Sequence, residues 1–476
     1  MKKKKIWMGI GGFILGVVAT LIATITLNYK GNTEQSTIIA PEVYGETASI
    51  NQVFEALKEY HYFYGGDDQA LIDGAISGMI AALDDPHSTY FTQKDYASFM
   101  EHLEEKYSGI GCEVTSINGY TIIVSAFPDS PADLAGIMAN DVVIEVDGEN
   151  VVGQNLQDVT NKIKGQKGTT VTLGIQRDEN AELIKIEVTR DEIAQETVKT
   201  EILEISGEKV GYLQVTTFGE NTANEFKEGI EGLEKEGMTS LIVDLRNNSG
   251  GYLQSVVDMV DYLLPSGKNI TTIENRDEQG KTYTTSGSGK DYKVTTLINE
   301  GSASASEIFA AAMKEAGGFD VVGTTSYGKG TVQVSMPLDD HSSLKLTTQV
   351  WKTPDMNWIN EVGVEPTITV EAPDFYSFYQ VYLTDGKTFE YDMVDVGIKN
   401  AQDILKTLDY SIDRTDGYFN QTTVTAVKQF QKDHDLDQTG TIDAATAKSL
   451  TLALREKIKD KQFDTQLQEA LEVAVK

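Results

Sequence analysis

From Val210 onward, short β-rich runs and longer helical runs alternate. Residues 210–215 and 240–245 are strand-like, whereas 223–236 and 253–264 carry apolar side chains at helical spacing. Such an alternation builds an α/β domain, with helices laid on a sheet. The second strand-like run ends in Asp244-Leu245-Arg246-Asn247-Asn248-Ser249-Gly250-Gly251, so a strand empties into a glycine turn. Upstream the pattern differs. Residues 109–188 are strand-rich and glycine-punctuated, with strands expected at 120–124, 142–146 and 170–175 and turns at Asp147-Gly148 and Lys167-Gly168. Residues 50–107 read as a helical lobe, broken by Asp84-Asp85-Pro86-His87-Ser88 and suited to packing or dimerisation. A linker with several aromatics follows Pro373, and 395–455 reads as a compact helical unit.

The N-terminus adds a topological constraint. Lys2–Lys5 precede 22 residues without a charge, Ile6 to Leu27. At about 1.5 Å per helical residue this spans roughly 33 Å, enough for a bilayer core. The basic flank holds the N-terminus in the cytoplasm, which puts the body outside. A cleaved signal peptide is the alternative, but its apolar region is shorter and no clean small-x-small site follows. The net charge of −33 leaves no basic footprint for nucleic acid. The single cysteine, Cys112, excludes an internal disulfide. The five histidines are scattered, with no Cys/His cluster for zinc, and no cofactor or metal is expected.

Two segments carry candidate chemistry. Ser304-Ala305-Ser306-Glu307 opens an apolar helical run and fits a capping box, so the plain reading of Ser304 is a helix cap. A helix N-terminus also offers free N–H groups and a positive dipole end to an oxyanion. Further on, Lys329 lies between two glycines, and Lys329, Thr331 and Gln333 are two apart, on one face if that run is a strand. A buried lysine loses its proton more readily and serves as a general base, with Gln333 to hold its amine. Serine–lysine pairing is one variant of the triad logic. Gly323 to Lys329 also fits the G-x-x-x-x-G-K of a phosphate loop. Gly330 stands where that loop needs a metal-binding hydroxyl, which argues against it.

Taken together in order, the Asp244–Gly251 stretch, Ser304 and the Lys329/Gln333 pair resemble the signature of the C-terminal processing peptidases, the tail-specific serine proteases of family S41, over about residues 50–370. The resemblance implies Ser304 as nucleophile, Lys329 as general base and Gln333 as the residue positioning it. It implies an oxyanion hole from the Ala305 N–H and a glycine of Gly250-Gly251, with the choice between the two open. Trp351-Lys352-Thr353-Pro354 and Val362-Gly363-Val364-Glu365-Pro366 are similar to the family's downstream motifs, with departures at Trp351, Asp355-Met356-Asn357 and Glu365.

Gly109-Ile110-Gly111, Ser130-Pro131-Ala132 and Asn140-Asp141-Val142 resemble a protease-associated PDZ domain. That implies capture of a peptide carboxylate by Gly109, Ile110 and Gly111. Lys164 stands where the family usually has arginine. Residues 395–455 are similar to the three-helix peptidoglycan-binding module, although its apolar residues also make an ordinary small core.

The expectation is a multidomain α+β chain: basic flank 1–5, membrane anchor 6–28, linker 29–49, helical lobe 50–107, PDZ domain 108–194, protease core 195–372, linker 373–394, peptidoglycan-binding-like unit 395–455 and helical tail 456–476. Its expected function is that of a membrane-anchored extracytoplasmic serine endopeptidase acting on proteins with exposed C-termini. Peptidoglycan and the membrane are further partners, and a homodimer is compatible with the helical lobe. The alternative is a catalytically inactive, wall-binding PDZ scaffold.

Overall fold

The computed structural model describes residues 48–476 except 94, 97–105, 118, 128–129, 178–182, 195, 341, 382 and 384–386. The 6–28 segment expected to cross a membrane lies outside the described residues. Among those described, no helix is long and apolar enough to cross one.

The largest domain is built on a six-stranded sheet in the order Val198–Ile205, Glu208–Val215, Ser240–Asp244, Val294–Ile298, Val321–Gly323, Ile368–Thr369. The first pair is antiparallel and the remaining pairs are parallel. Every residue of Ser240–Asp244 and Val294–Ile298 is buried, as befits parallel strands covered on both faces. One face carries the helices Thr222–Lys235, Leu253–Leu263 and Ala305–Ala311. Phe226, Ile230 and Leu233 of the first of these recur at helical spacing and are buried against this core. Phe226 meets Phe309 edge-on at 6.1 Å.

The opposite face is covered from the far end of the chain. Leu467, Ala470, Leu471, Val473 and Ala474 of the helix Thr465–Ala474 pack on Val210, Tyr212, Ile242, Leu297 and Val322. The tail is therefore a layer of this domain's core. A second sheet joins Ser343–Lys352 to Thr331–Pro337, to Asn269–Asn275 and to Thr89–Phe91. The last of these strands leaves the N-terminal lobe, so the lobe contributes a strand to the 195–372 domain, which its helical pattern did not signal.

Residues 112–189 form a separate sheet in the order Cys112–Ile117, Tyr120–Ala126, Val142–Val146, Thr170–Gln176, Ile184–Thr189. Cys112–Ile117 lies at its edge and follows directly on Gly109–Gly111.

The helices Val396–Thr407, Gln421–Asp433 and Ala444–Lys459 enclose a further core around Phe389, Phe419 and Phe430. This unit contains a repeated turn. The buried Gln402 accepts from the Gly417 N–H and donates to Thr423 Oγ1; the buried Gln431 does the same with Gly440 and Thr446. Asn420 and Asp443 then cap the helices that follow.

Candidate active site

Three neighbouring parallel strands, Ser240–Asp244, Val294–Ile298 and Val321–Gly323, end on one side of the sheet, and a loop leaves each carboxyl end. These loops carry Gly250-Gly251, Ser304 and Lys329 respectively. Ligand sites form at this end of open α/β sheets, so the topology alone brings the three sequence-predicted segments together.

Ser304 precedes the helix Ala305–Ala311 with φ 56° and ψ −112°. A non-glycine residue pays strain there and persists only where its surroundings fix it. The capping-box pattern accounts for part of the fixing. The Ser304 N–H donates to Glu307 Oε2 at 2.7 Å, while the Glu307 N–H goes to the Ser304 carbonyl at 2.9 Å. Ser304 Oγ is buried and has no hydrogen-bond partner among the described residues. Ser304 and Glu307 thus frame the helix start through the backbone, and the hydroxyl itself is not spent on a hydrogen bond.

Glu307 is the residue that sequence reasoning undervalued. It is fully buried. Besides the Ser304 N–H, it accepts from the Gly328 N–H at 2.7 Å, the Lys329 N–H at 2.8 Å and the Ser326 hydroxyl at 2.6 Å. Burial pushes its carboxyl above the usual range, against the pull of these four donors. Oε2 alone holds the amides of Ser304 and Lys329, so those nitrogens lie no farther apart than the sum of two hydrogen bonds.

Lys329 is 2% exposed. It sits in the loop before the strand Thr331–Pro337, not within the strand. Its backbone is pinned on both sides: the Lys329 carbonyl accepts from Trp351 Nε1 at 2.8 Å, and the Gly330 N–H donates to Asn360 Oδ1 at 3.0 Å. Trp351, a departure from the family motif, thus holds the lysine loop. With the amides of Gly328, Lys329 and Gly330 all taken, and a strand following where a phosphate loop needs a helix, the phosphate-loop reading is excluded. Burial, and then the charge of Lys345, pull the Lys329 ammonium down to about 7, opposed by Glu307 and Asp85.

Gln333 is fully buried. Its Nε2 donates to Thr331 Oγ1 at 2.9 Å and to Thr347 Oγ1 at 3.1 Å, which leaves Oε1 without a partner among the described residues. A pairing irregularity falls between Val332 and Gln333. The Thr331 contact nonetheless places the side chains of 331 and 333 on one side.

The glycine turn abuts the serine. A side chain on Gly250 would come within 2.9 Å of Ser304 Cβ and 2.8 Å of Ala305 N, and φ there is 103°. Only glycine fits such an approach. The Gly250 N–H is spent on Asn248 Oδ1 at 2.9 Å. The N–H groups of Gly251 and Ala305 have no acceptor among the described residues. Asn248 also accepts, through its carbonyl, from the Ala303 N–H at 3.0 Å and from Ser306 Oγ at 2.7 Å, which ties the two loops together. A cavity of about 320 Å³ adjoins the lysine loop, lined in part by Asp85, His87, Tyr327 and Glu361.

In the reader domain, Gly111 has φ 76°, and a side chain there would strike Ser130. Ser130 Oγ donates to the Gly111 carbonyl at 2.8 Å, and the Ile110 carbonyl accepts from the Ala132 N–H at 2.7 Å. The Gly109–Gly111 loop is thereby fastened at the head of the sheet's edge strand.

Comparison with known proteins agrees with this organisation. Residues 209–370 match the model of peptidase family S41, 122–177 that of the PDZ domain, 395–450 that of the putative peptidoglycan binding domain, and 14–95 that of the activating protease CtpB N-terminal domain. The chain is 40% identical over 423 residues to carboxy-terminal processing protease CtpB of Bacillus subtilis (strain 168), covering 89% of this chain and 88% of that one. It is 36% identical to CtpA of the same organism, covering 98% of each. Among solved structures, a photosystem II D1 C-terminal processing protease is 25% identical with TM-score 0.43, over 68% of this chain and 88% of that one. The PDZ domain of a carboxy-terminal protease from Vibrio cholerae in complex with peptide is 35% identical with TM-score 0.18, over 18% of this chain and 97% of that one. With relatives of this identity matched over nearly their whole length, the chain belongs to the carboxy-terminal processing serine proteases of family S41.

Proposed function

We propose that this protease cleaves through a Ser304/Lys329/Gln333 set. The observation that carries the reading is Glu307 Oε2, which ties the backbones of Ser304 and Lys329 together, with Lys329 buried and the Ser304 hydroxyl left unbonded among the described residues. The neutral Lys329 amine takes the proton as Ser304 Oγ attacks the scissile carbonyl carbon. The carbonyl oxygen becomes an oxyanion, received by the N–H groups of Ala305 and Gly251; the Gly250 N–H is engaged with Asn248 and is the weaker candidate. Collapse breaks the C–N bond, and Lys329 returns its proton to the leaving amine. Water, deprotonated by the same lysine, then cleaves the acyl-enzyme. Gln333 Oε1, unbonded among the described residues, is the acceptor that orients the amine when the set closes.

The PDZ domain supplies the substrate. A peptide adds as a strand to the free edge Cys112–Ile117, with its carboxylate at Gly109, Ile110 and Gly111. The charge-free run Ile6 to Leu27 anchors the enzyme in the membrane with its catalytic body outside the cytoplasm. The 395–450 unit holds it near the wall through peptidoglycan. The inactive-scaffold alternative loses ground because all three residues are present in the sequence and buried.

Ser304→Ala and Lys329→Ala are each expected to abolish cleavage of a casein-type substrate in a gel assay; undiminished cleavage by either refutes the mechanism. Retention of the full-length Ser304→Ala protein on purified sacculi tests the wall reading, and its absence from the pellet ends that part.

A further inference from the structure

The tail helix Thr465–Ala474 does more than cover the sheet. Asp464, which caps that helix by accepting from the Leu467 N–H, also pairs with Arg246 across 218 residues of sequence, Nη1 to Oδ1 at 2.8 Å. The same guanidinium nitrogen donates to Gln466 Oε1 at 3.2 Å. On its other side Arg246 grips Asp244, with Nε at 3.0 Å and Nη2 at 2.6 Å, and Tyr212 OH donates to that carboxylate at 2.8 Å. The group is enclosed: the side chains of Arg246, Asp244 and Asp464 are 12, 1 and 8% exposed. Gln466 Nε2 and Thr465 Oγ1 bind the carbonyls of Val370 and Glu371, which seats the tail where the core strand Ile368–Thr369 ends.

The position of this group in the chain matters. Arg246 begins the loop that reaches Asn248 two residues on and Gly250-Gly251 shortly after. Asn248 holds Ala303 and Ser306 on either side of Ser304. A fixed guanidinium at 246 therefore fixes the root of the loop that presents the Gly251 N–H and clasps the serine turn. A site whose donors must sit within a fraction of an ångström depends on such support.

We propose that Asp464, with Gln466, is a positioning residue for catalysis: the tail braces Arg246 and thereby the loop 246–251 against Ser304. This rests on the reading of Ser304 as nucleophile. It makes the 389–459 unit an insertion whose two ends are both fastened to the protease core.

The test compares Asp464→Asn, which keeps a capping oxygen but loses the charge, with Gln466→Met and Leu467→Ala in the full-length enzyme. Leu467→Ala loosens the same helix without touching Arg246. Each is assayed on a casein-derived peptide at a temperature where melting curves show it fully folded. Asp464→Asn is expected to lower kcat by roughly 10- to 100-fold, with KM and the pH midpoint of the rate unchanged. Gln466→Met moves kcat in the same direction by less, and Leu467→Ala lowers only the melting temperature. Wild-type kcat in both Asp464→Asn and Gln466→Met overturns the proposal, as does an equal loss in Leu467→Ala. Activity surviving in Ser304→Ala breaks the nucleophile reading instead.

Discussion

A buried ammonium is costly, and the cost is relieved when the proton leaves. At Lys329 the burial dominates and Lys345 adds a second positive charge, while Glu307 and Asp85 pull the other way; the outcome is about 7. The reactive form is the neutral one, so kcat/KM should rise with pH through a midpoint near 7. Lys345→Met removes a neighbouring positive charge. Lys329 then keeps its proton to higher pH, the midpoint moves up, and the rate at pH 7 falls. A midpoint that stays put or moves down in that variant contradicts the assignment of Lys329 as base. Stability carries the same signature. Between about 7 and the ordinary value of 10.5 the unfolded chain holds more protons at this site than the native one, so the native state gains with rising pH across that window. Below 7 the charge is buried at full cost. Lys329→Met should therefore raise the melting temperature most below pH 7 and by a shrinking margin toward pH 10, as paired melting curves across that range would reveal.

Among the structural elements, Glu307 is the joint between the serine helix and the lysine loop. Its carboxylate meets four donors and no acceptor, so an amide in its place would turn one NH₂ toward a backbone N–H. Glu307→Gln is expected to cost about 1–3 kcal/mol of stability and to lower kcat by roughly 10²-fold through displacement of both loops. A variant with wild-type kcat would show that the loops hold themselves. Glu307 also shows where sequence stops being informative. The pattern Ser304 to Glu307 was legible as a helix start because capping is local. That the same carboxylate reaches Gly328 and Lys329 depends on which strand lies beside which, and no local spacing encodes that. The buried strands 240–244 and 294–298 could be read from their apolar runs. The strand Thr89–Phe91 was hidden because its partner lies some 250 residues on, at Ser343–Lys345. The Trp351 contact was hidden for the same reason: a family departure signals difference but not direction. In the C-terminal unit, the paired Gln402/Gly417/Thr423 and Gln431/Gly440/Thr446 turns escaped notice because each glutamine stands at a different distance from its glycine.

At the scale of the whole molecule, the fully buried Ser304 sets a condition on function. On the proposed role of Ser304 as nucleophile, a scissile carbonyl has no path to a hydroxyl without exposed surface, and the conformation described here opens before it cleaves. The PDZ domain is the proposed sensor of substrate. Among the described residues its edge strand Cys112–Ile117 pairs on one side alone, and Thr115 on that strand accepts from Arg455, which projects from the helix Ala444–Lys459 of the C-terminal unit. A peptide arriving at this edge adds binding energy to whichever state accommodates it, and opening follows only if that is the active one. A peptide with an apolar free C-terminus, too short to be cut, is therefore expected to accelerate hydrolysis of a second reporter substrate. Its amidated counterpart is not, if the Gly109–Gly111 loop receives the carboxylate as proposed. Gly111→Ala places a side chain against Ser130 in a backbone conformation that alanine resists. This variant should lose the acceleration, measured as the ratio of its own rates with and without the peptide. Equal rates with and without the peptide in the wild-type enzyme would mean that opening is driven from elsewhere.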